Sequence, residues 1–143
     1  MRAPADLDRY LAAQDDGDTY RAALAQLRCG RKTSHWMWFV FPQLAGLGRS
    51  AMALRYAVRD LDEARAYVAH PVLGPRLARC CDALLALPGD DPVKVLGEVD
   101  ALKLRSCLTL FTHAADDGEA ARFAGVLAKF YDGEQDPATV ALL

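Results

Sequence analysis

Two segments of the chain hold residue types that could act on a ligand. The first, RKTSHWMWFVFPQLAGLGRS at residues 31 to 50, places both tryptophans, Trp36 and Trp38, with Phe39 and Phe41, between Arg31, Lys32 and His35 on one side and Gln43 on the other. Aromatic faces bordered by a few cations and one amide suit a planar, anionic ligand. Stacking and charge-assisted hydrogen bonds each contribute roughly 1–3 kcal/mol in a dry site. The same run equally suits a structural role, as a hydrophobic wall whose cations snorkel to its rim. Gly46 and Gly48 of GLGRS allow close backbone approach, and Ser50 marks a helix start whose free N–H groups could face an anion. The string matches neither a Walker loop nor G-x-G-x-x-G, so it is a weak phosphate loop.

The second segment is DALKLRSCLTLF, Asp100 to Phe111. Wound at 100° per residue it places Leu104, Cys107, Leu108 and Phe111 on one face, with Leu102 and Leu110 outside that face and Ser106 and Thr109 nearly opposite. A helix apolar around most of its circumference is a central one. Its polar residues then need partners, because an unpaired buried hydroxyl or ammonium costs on the order of 1–3 kcal/mol or more. In one reading Asp100 is an N-cap, Ser106 and Thr109 bond back to the carbonyl four residues earlier, and Lys103 reaches solvent. In the other, Asp100, Lys103 and Ser106 floor a pocket walled by the aromatic segment.

The elements that must position these residues are helical throughout. Leu7, Tyr10 and Leu11 recur at helical spacing. Tyr20, Leu24 and Leu27 follow behind Asp18 as N-cap, and Gly30 ends that helix. Ser50 caps a short helix through Tyr56, and Asp60 with Glu63 resembles a capping box for a helix that turns Leu61, Ala64 and Val68 inward. Pro75 suits a first turn, with Leu77, Cys81, Leu84 and Leu85 as the buried face beyond it. PGDDP is a loop, and a short helix runs from Pro92 to Leu96. Phe123, Val126, Leu127 and Phe130 mark another helix before Gly133, and DPATVALL docks through Val140, Leu142 and Leu143. WMWFVF reads as a buried helix or an irregular aromatic wall. The expectation is one all-α domain over residues 1 to 143, of about seven or eight helices around a central apolar helix.

Composition narrows the function. A chain of 143 residues, 52% hydrophobic and 25% charged, buries roughly two thirds of its unfolded surface and folds without a disulfide or metal staple. Its formal charge of -2 gives no field to draw in a phosphate backbone, which disfavours nucleic acid. No apolar run approaches a membrane span, and MRAPADLDRY lacks the stretch of a secretory signal, so the expected setting is the cytoplasm. Cys29, Cys80, Cys81 and Cys107 have no zinc-ligand spacing and read as reduced thiols; no metal site is expected. His70 is a turn residue in AHPVLG, His113 lies in the last turn of the central helix, and Cys107 on the apolar face is an inert thiol. The acid pairs at 15 and 16, 90 and 91, and 116 and 117 read as exposed loop residues.

Taken together, the strings K-x-S-HWMWFVFPQL-x-GLG-x-S from Lys32 to Ser50, EA-x-x-Y from Glu63 to Tyr67, HPVLG-x-RL from His70 to Leu77, D-x-x-KL-x-S-x-x-TLF from Asp100 to Phe111 and G-x-x-D-x-x-T from Gly133 to Thr139 resemble the bacterial domain-of-unknown-function 1810 family. The resemblance covers nearly the whole chain. It implies a mainly helical fold and no established activity. It also singles out Lys32, Ser34, His35, Trp36, Trp38, Gln43, Asp100, Lys103 and Ser106 as characteristic positions. The family pattern carries a serine and a methionine where this chain has Cys107 and Leu108, which weakens any essential role for that thiol. A calpastatin-like label sometimes given to such chains does not suit this one, because calpain inhibitors of that kind are disordered whereas this chain is apolar and periodic.

Two functions follow as expectations. The first is a pocket for a small anionic, nucleotide-like ligand between the aromatic segment and the central helix. There Trp36 or Trp38 stacks, Lys32 and Lys103 hold negative charge, Ser34, Gln43 and Ser106 orient, and His35, Asp100 or Lys103 is the candidate acid or base. The second is an interaction module or homodimer that pairs through the Trp-rich segment, without catalysis. Single-stranded nucleic acid on the tryptophans with Arg31, Lys32 and Arg49 is opposed by the net charge.

Overall fold

The computed structural model describes residues 6–143, and among these no strand is present; Leu44 and Val58 form an isolated parallel bridge. The helices are α1 (Asp8–Asp15), α2 (Thr19–Arg28), α3 (Met37–Val40), α4 (Ala51–Tyr56), α5 (Leu61–Ala69), α6 (Leu73–Ala86), α7 (Pro92–Leu96), α8 (Glu98–Ala114), α9 (Asp117–Tyr131) and α10 (Pro137–Leu142), with a turn of 3-10 helix at Asp16–Asp18 between α1 and α2. The short helices at Ala51–Tyr56 and Pro92–Leu96 are those expected; the excess over seven or eight lies in α3 and α10, segments of four and six residues too short to show a full amphipathic repeat.

One capping device recurs along the chain. Ser50 accepts from the Ala53 N–H at 3.1 Å, Asp60 from Glu63 at 3.0 Å, Asp91 from Val93 at 3.0 Å, Asp116 from Glu119 at 3.2 Å and Asp136 from Thr139 at 3.2 Å. Each such cap stabilises its helix by about 1 kcal/mol. At Asp60 the reciprocal bond is displaced by one residue, since Glu63 accepts from the Arg59 N–H at 3.2 Å. Asp18 stands at the N-cap position of α2 but makes no capping bond; its φ of 56° turns the side chain away.

The central helix is α8, packed against α5, α7, α9 and α10. Every side chain from Ser106 to Phe111 is buried. Leu110, outside the apolar face on the helical projection, is enclosed because the helix is covered on all sides from Ser106 to Phe111. Leu102 in the first half is 66% exposed. The predicted back-bonds are present, Ser106 Oγ to the Leu102 carbonyl at 3.2 Å and Thr109 Oγ1 to that of Arg105 at 2.8 Å. Asp100 is not the N-cap: Gly97, with φ 89°, holds that position and Asp100 lies in the first turn. An acid in the first turn is favoured by the helix dipole as well as by capping, so the residue type alone does not separate the two places.

Two apolar assignments also shift. Leu85 sits at the rim of α6, 37% exposed, its methyl 3.8 Å from where a Cβ on Gly125 of α9 would lie, while Cys80 takes a place in the core. Val140, Leu142 and Leu143 stay half-exposed, and α10 docks through Thr139, which is fully buried. Asp136 organises that contact. Its Oδ2 accepts from Ser106 Oγ at 2.9 Å and Thr139 Oγ1 at 2.5 Å, and its N–H donates to Thr109 Oγ1 at 2.9 Å.

Burial pushes the Asp136 carboxyl up, but hydrogen bonds from Thr139 and Ser106 outweigh it and hold the group below its ordinary value. A carboxylate depressed in the folded state stabilises above the unfolded pKa and loses that contribution as pH falls through the folded one. Asp136→Asn is therefore expected to flatten the acid side of the stability profile below about pH 4, measured by thermal unfolding across pH. An unchanged slope would refute the assignment.

The turn from α5 to α6 explains HPVLG. His70 Nδ1 accepts from the Val72 and Leu73 N–H groups at 3.1 and 3.2 Å, as a turn residue should. A Cβ on Gly74 would lie 2.1 Å from the Val68 carbonyl oxygen, so only glycine lets α6 start against the end of α5.

Candidate functional site

The loop between α2 and α3 is held by one amide. Gln26 Oε1 accepts from the Thr33 N–H at 2.9 Å, from the Ser34 N–H at 3.3 Å and from Trp36 Nε1 at 2.8 Å, while its Nε2 donates to Ser34 Oγ at 2.7 Å. Ser34 thus faces α2 rather than α8. Trp36 is fully buried, and Met37, Phe39, Val40 and Phe41 are buried with it, leaving Trp38 partly exposed.

Five of the nine predicted residues come together. Lys32 Nζ lies 2.9 Å from Asp100 Oδ2, and Lys103 Nζ 3.8 Å from Asp100 Oδ1, so two ammonium groups share one carboxylate. Each ammonium also lies over a tryptophan, Lys32 5.3 Å from the Trp36 ring centroid and Lys103 5.6 Å from that of Trp38. Such contacts contribute about 0.5–2 kcal/mol each. With side chains only 10% to 25% exposed, the cluster ties the aromatic segment to the first turn of α8. The Lys32 N–H donates to the Val95 carbonyl at 2.7 Å, adding α7 to the same joint.

The other four point elsewhere. Ser106 belongs to the Asp136 contact and Ser34 to Gln26. The Gln43 carbonyl accepts from the Val58 N–H at 2.7 Å beside the isolated bridge. His35 lies across the segment from Lys32 and Asp100, on the wall of a cavity of about 670 Å³ between α1, α3 and α4.

That cavity joins residues the sequence keeps far apart. Phe39, Met52 and Tyr56 supply apolar surface, and Arg9, Asp16, His35 and Arg55 supply polar groups. Arg9 is committed within the fold: it donates to Glu63 Oε1, Tyr10 Oη and the Ala57 carbonyl, each at 2.9 Å, and to the Arg55 carbonyl at 3.0 Å. Glu63 is 3% exposed, so this ion pair is nearly enclosed. Arg55 differs. Its guanidinium lies 5.3 Å from the Tyr56 ring centroid and forms no ion pair among the described residues. His35 is exposed and has no hydrogen-bond partner among them. Arg9 and Arg55 were missed because neither lies in an aromatic or apolar run; the signal available was Tyr56, next to Arg55 at the end of the helix that Ser50 caps.

No cluster of metal-ligating side chains is found among the described residues. Burial pushes the Cys80 thiol up to about 12 and those of Cys81 and Cys107 well above the ordinary range, which suits inert core thiols. Cys29 alone is exposed.

The sequence profile described as "Protein of unknown function (DUF1810)" matches residues 4–143. The chain belongs to the DUF1810 family. The crystal structure of the conserved hypothetical protein Rv1873 from Mycobacterium tuberculosis superimposes on this DUF1810 chain with a TM-score of 0.93 at 47% sequence identity, over 99% of this chain and 98% of that one. No curated protein matches the chain. The bacterial relative and the family therefore agree with the all-helical fold and name no reaction. No helix among the described residues of this DUF1810 protein is long and apolar enough to cross a membrane.

Proposed function

We propose that this DUF1810 protein binds a small anionic ligand with a planar apolar body, of the nucleotide class, in the cavity between α1, α3 and α4. The observation that carries the reading is that Arg55, a cation without an ion pair among the described residues, and His35, an imidazole without a hydrogen-bond partner among them, share a cavity floored by Phe39, Met52 and Tyr56. A volume of about 670 Å³ falls within the range of small-molecule sites. His35 supplies the imidazole of the site and is the candidate acid or base should the ligand react. The Lys32, Asp100 and Lys103 cluster supports the site by fixing the far side of the aromatic segment. Burial of Trp36, Met37, Phe39 and Phe41 weighs against the Trp-rich segment as a docking surface for a second chain.

Calorimetric titration with nucleoside monophosphates and sugar phosphates tests the reading. Arg55→Ala is expected to weaken binding roughly 10- to 100-fold, the loss of one charge-assisted hydrogen bond, with the melting temperature unchanged. His35→Ala should weaken it less. Absence of binding at millimolar ligand, or binding indifferent to both substitutions, would refute the site.

A further inference from the structure

A second concavity lies between α2 and α6, on the other side of α1 from the first, and its lining is arginine-rich. Arg21 and Arg28 are seven residues apart on one face of α2, and Arg76 and Arg79 are three apart on α6; all four line a cavity of about 420 Å³ with Asp15, Asp18 and Tyr20. The formal charge of the whole chain is -2, so four guanidinium groups beside two carboxylates are a local reversal of sign.

The arginines are not equivalent. Arg76 is held by Asp15 at 2.8 Å and Gln14 Oε1 at 3.2 Å, and its guanidinium lies 4.7 Å from the Tyr20 ring centroid. Arg21, Arg28 and Arg79 are exposed and form no ion pair among the described residues. Asp82, which borders an adjoining depression with Arg28 and Arg79, is taken by Arg122 at 2.9 Å. At the wall of the same cavity the Tyr20 hydroxyl is buried beside the Arg79 guanidinium, and its proton has no acceptor among the described residues. A buried O–H without an acceptor is costly, and a ligand oxygen would supply one. The adjoining depression runs along Ala83, Ala86, Leu87 and Pro88, which lengthens the groove beyond one anion.

The geometry points to an oxyanion site in the α2–α6 groove, in which Arg28 and Arg79 grip a phosphate-bearing small molecule of two or more negative charges and Tyr20 donates to it, with Arg76 as the fixed side of the cradle. Guanidinium forks match phosphate oxygens in pairs, which ammonium groups do not. This site is separate from the cavity that holds Arg55 and His35.

Titration with inorganic pyrophosphate, followed by calorimetry at low salt, provides the test. Binding is expected, with Arg28→Ala and Arg79→Ala each weakening it about tenfold or more, Arg79→Glu abolishing it, and Arg55→Ala leaving it unchanged. Tyr20→Phe is expected to weaken it by a smaller factor while keeping the ring under Arg76. Parallel titration of the Arg55→Ala variant, in which the other cavity is weakened, with a nucleoside diphosphate separates two sources of the same group: binding tighter than pyrophosphate and lost in Arg55→Ala/Arg79→Ala identifies an esterified ligand whose body follows the groove, and equal binding identifies the free anion. The inference is overturned if neither compound binds, if only a single-stranded oligonucleotide binds, or if Arg55→Ala reduces affinity as much as Arg79→Ala.

Discussion

Trp36→Ala is expected to lose about 3–5 kcal/mol of folding stability, the range for truncating a large buried aromatic. Trp36 is fully buried, its ring centroid 6.3 Å from that of Phe41, with the Lys32 ammonium over the ring at 5.3 Å. Its Nε1 donates to the same Gln26 oxygen that receives the Thr33 and Ser34 N–H groups. Truncation removes the side chain and also loosens the amide that shapes residues 31 to 36. Domains of this size have only about 5–15 kcal/mol in hand, so the variant should unfold at markedly lower urea concentration. Trp36→Phe keeps most of the volume and loses the indole donor, and about 1–2 kcal/mol is expected for it. A loss below about 1 kcal/mol in the alanine variant would show that the segment does not depend on this residue.

Gly74→Ala is the second large effect, and it acts through backbone alone. The added methyl would meet the Val68 carbonyl oxygen at 2.1 Å and the carbonyl carbon at 3.1 Å. Overpacking against a side chain costs about 1–3 kcal/mol because the side chain can move. Here the obstacle is the last turn of α5, and α6 must back away from it along a buried contact that includes Leu73 and Leu77. The loss should reach or exceed about 3 kcal/mol. Gly89→Ala supplies the internal control, since a Cβ there meets nothing within 4 Å and φ is not positive. Thermal unfolding of the two variants side by side decides the matter: comparable melting temperatures would refute the steric account.

Much of the fold is legible in the sequence because its signals are local. Ser50 and Asp60 announce helix starts three residues from the N–H groups they accept, and Phe123 to Phe130 declares a buried face by spacing alone. The back-bonds of Ser106 and Thr109 follow from a polar side chain on a buried helix. Asp100 shows where such reasoning stops, since capping and first-turn placement favour the same residue type and the choice was made by the positive φ of Gly97. At the C-terminus three apolar residues suggested the dock, whereas the hydrogen bonds of Asp136 set it through Thr139, 27 to 30 residues from its partners on α8.

The candidate site was legible in part for the same reason. Aromatic and cationic residues in one short run drew attention to a segment where Lys32, Asp100 and Lys103 meet two tryptophans. A one-turn helix such as α3 has no repeat from which to read its two sides, so nothing local showed that His35 and Phe39 turn toward α1 and α4 instead. Arg9 donates to groups 46 to 54 residues away, a relation created by folding and invisible to spacing.

The distribution of sulfur has a consequence for how this protein meets oxidants. Cys80 and Cys81 on α6 and Cys107 on α8 are buried in the core, while Cys29 is exposed. A folded molecule therefore exposes one thiol and an unfolded one all four. Damage to the inner three records an excursion of the core, whereas damage to Cys29 records only contact with the reagent. The chain thus carries its own clock of opening, read in sulfur chemistry and independent of what it binds.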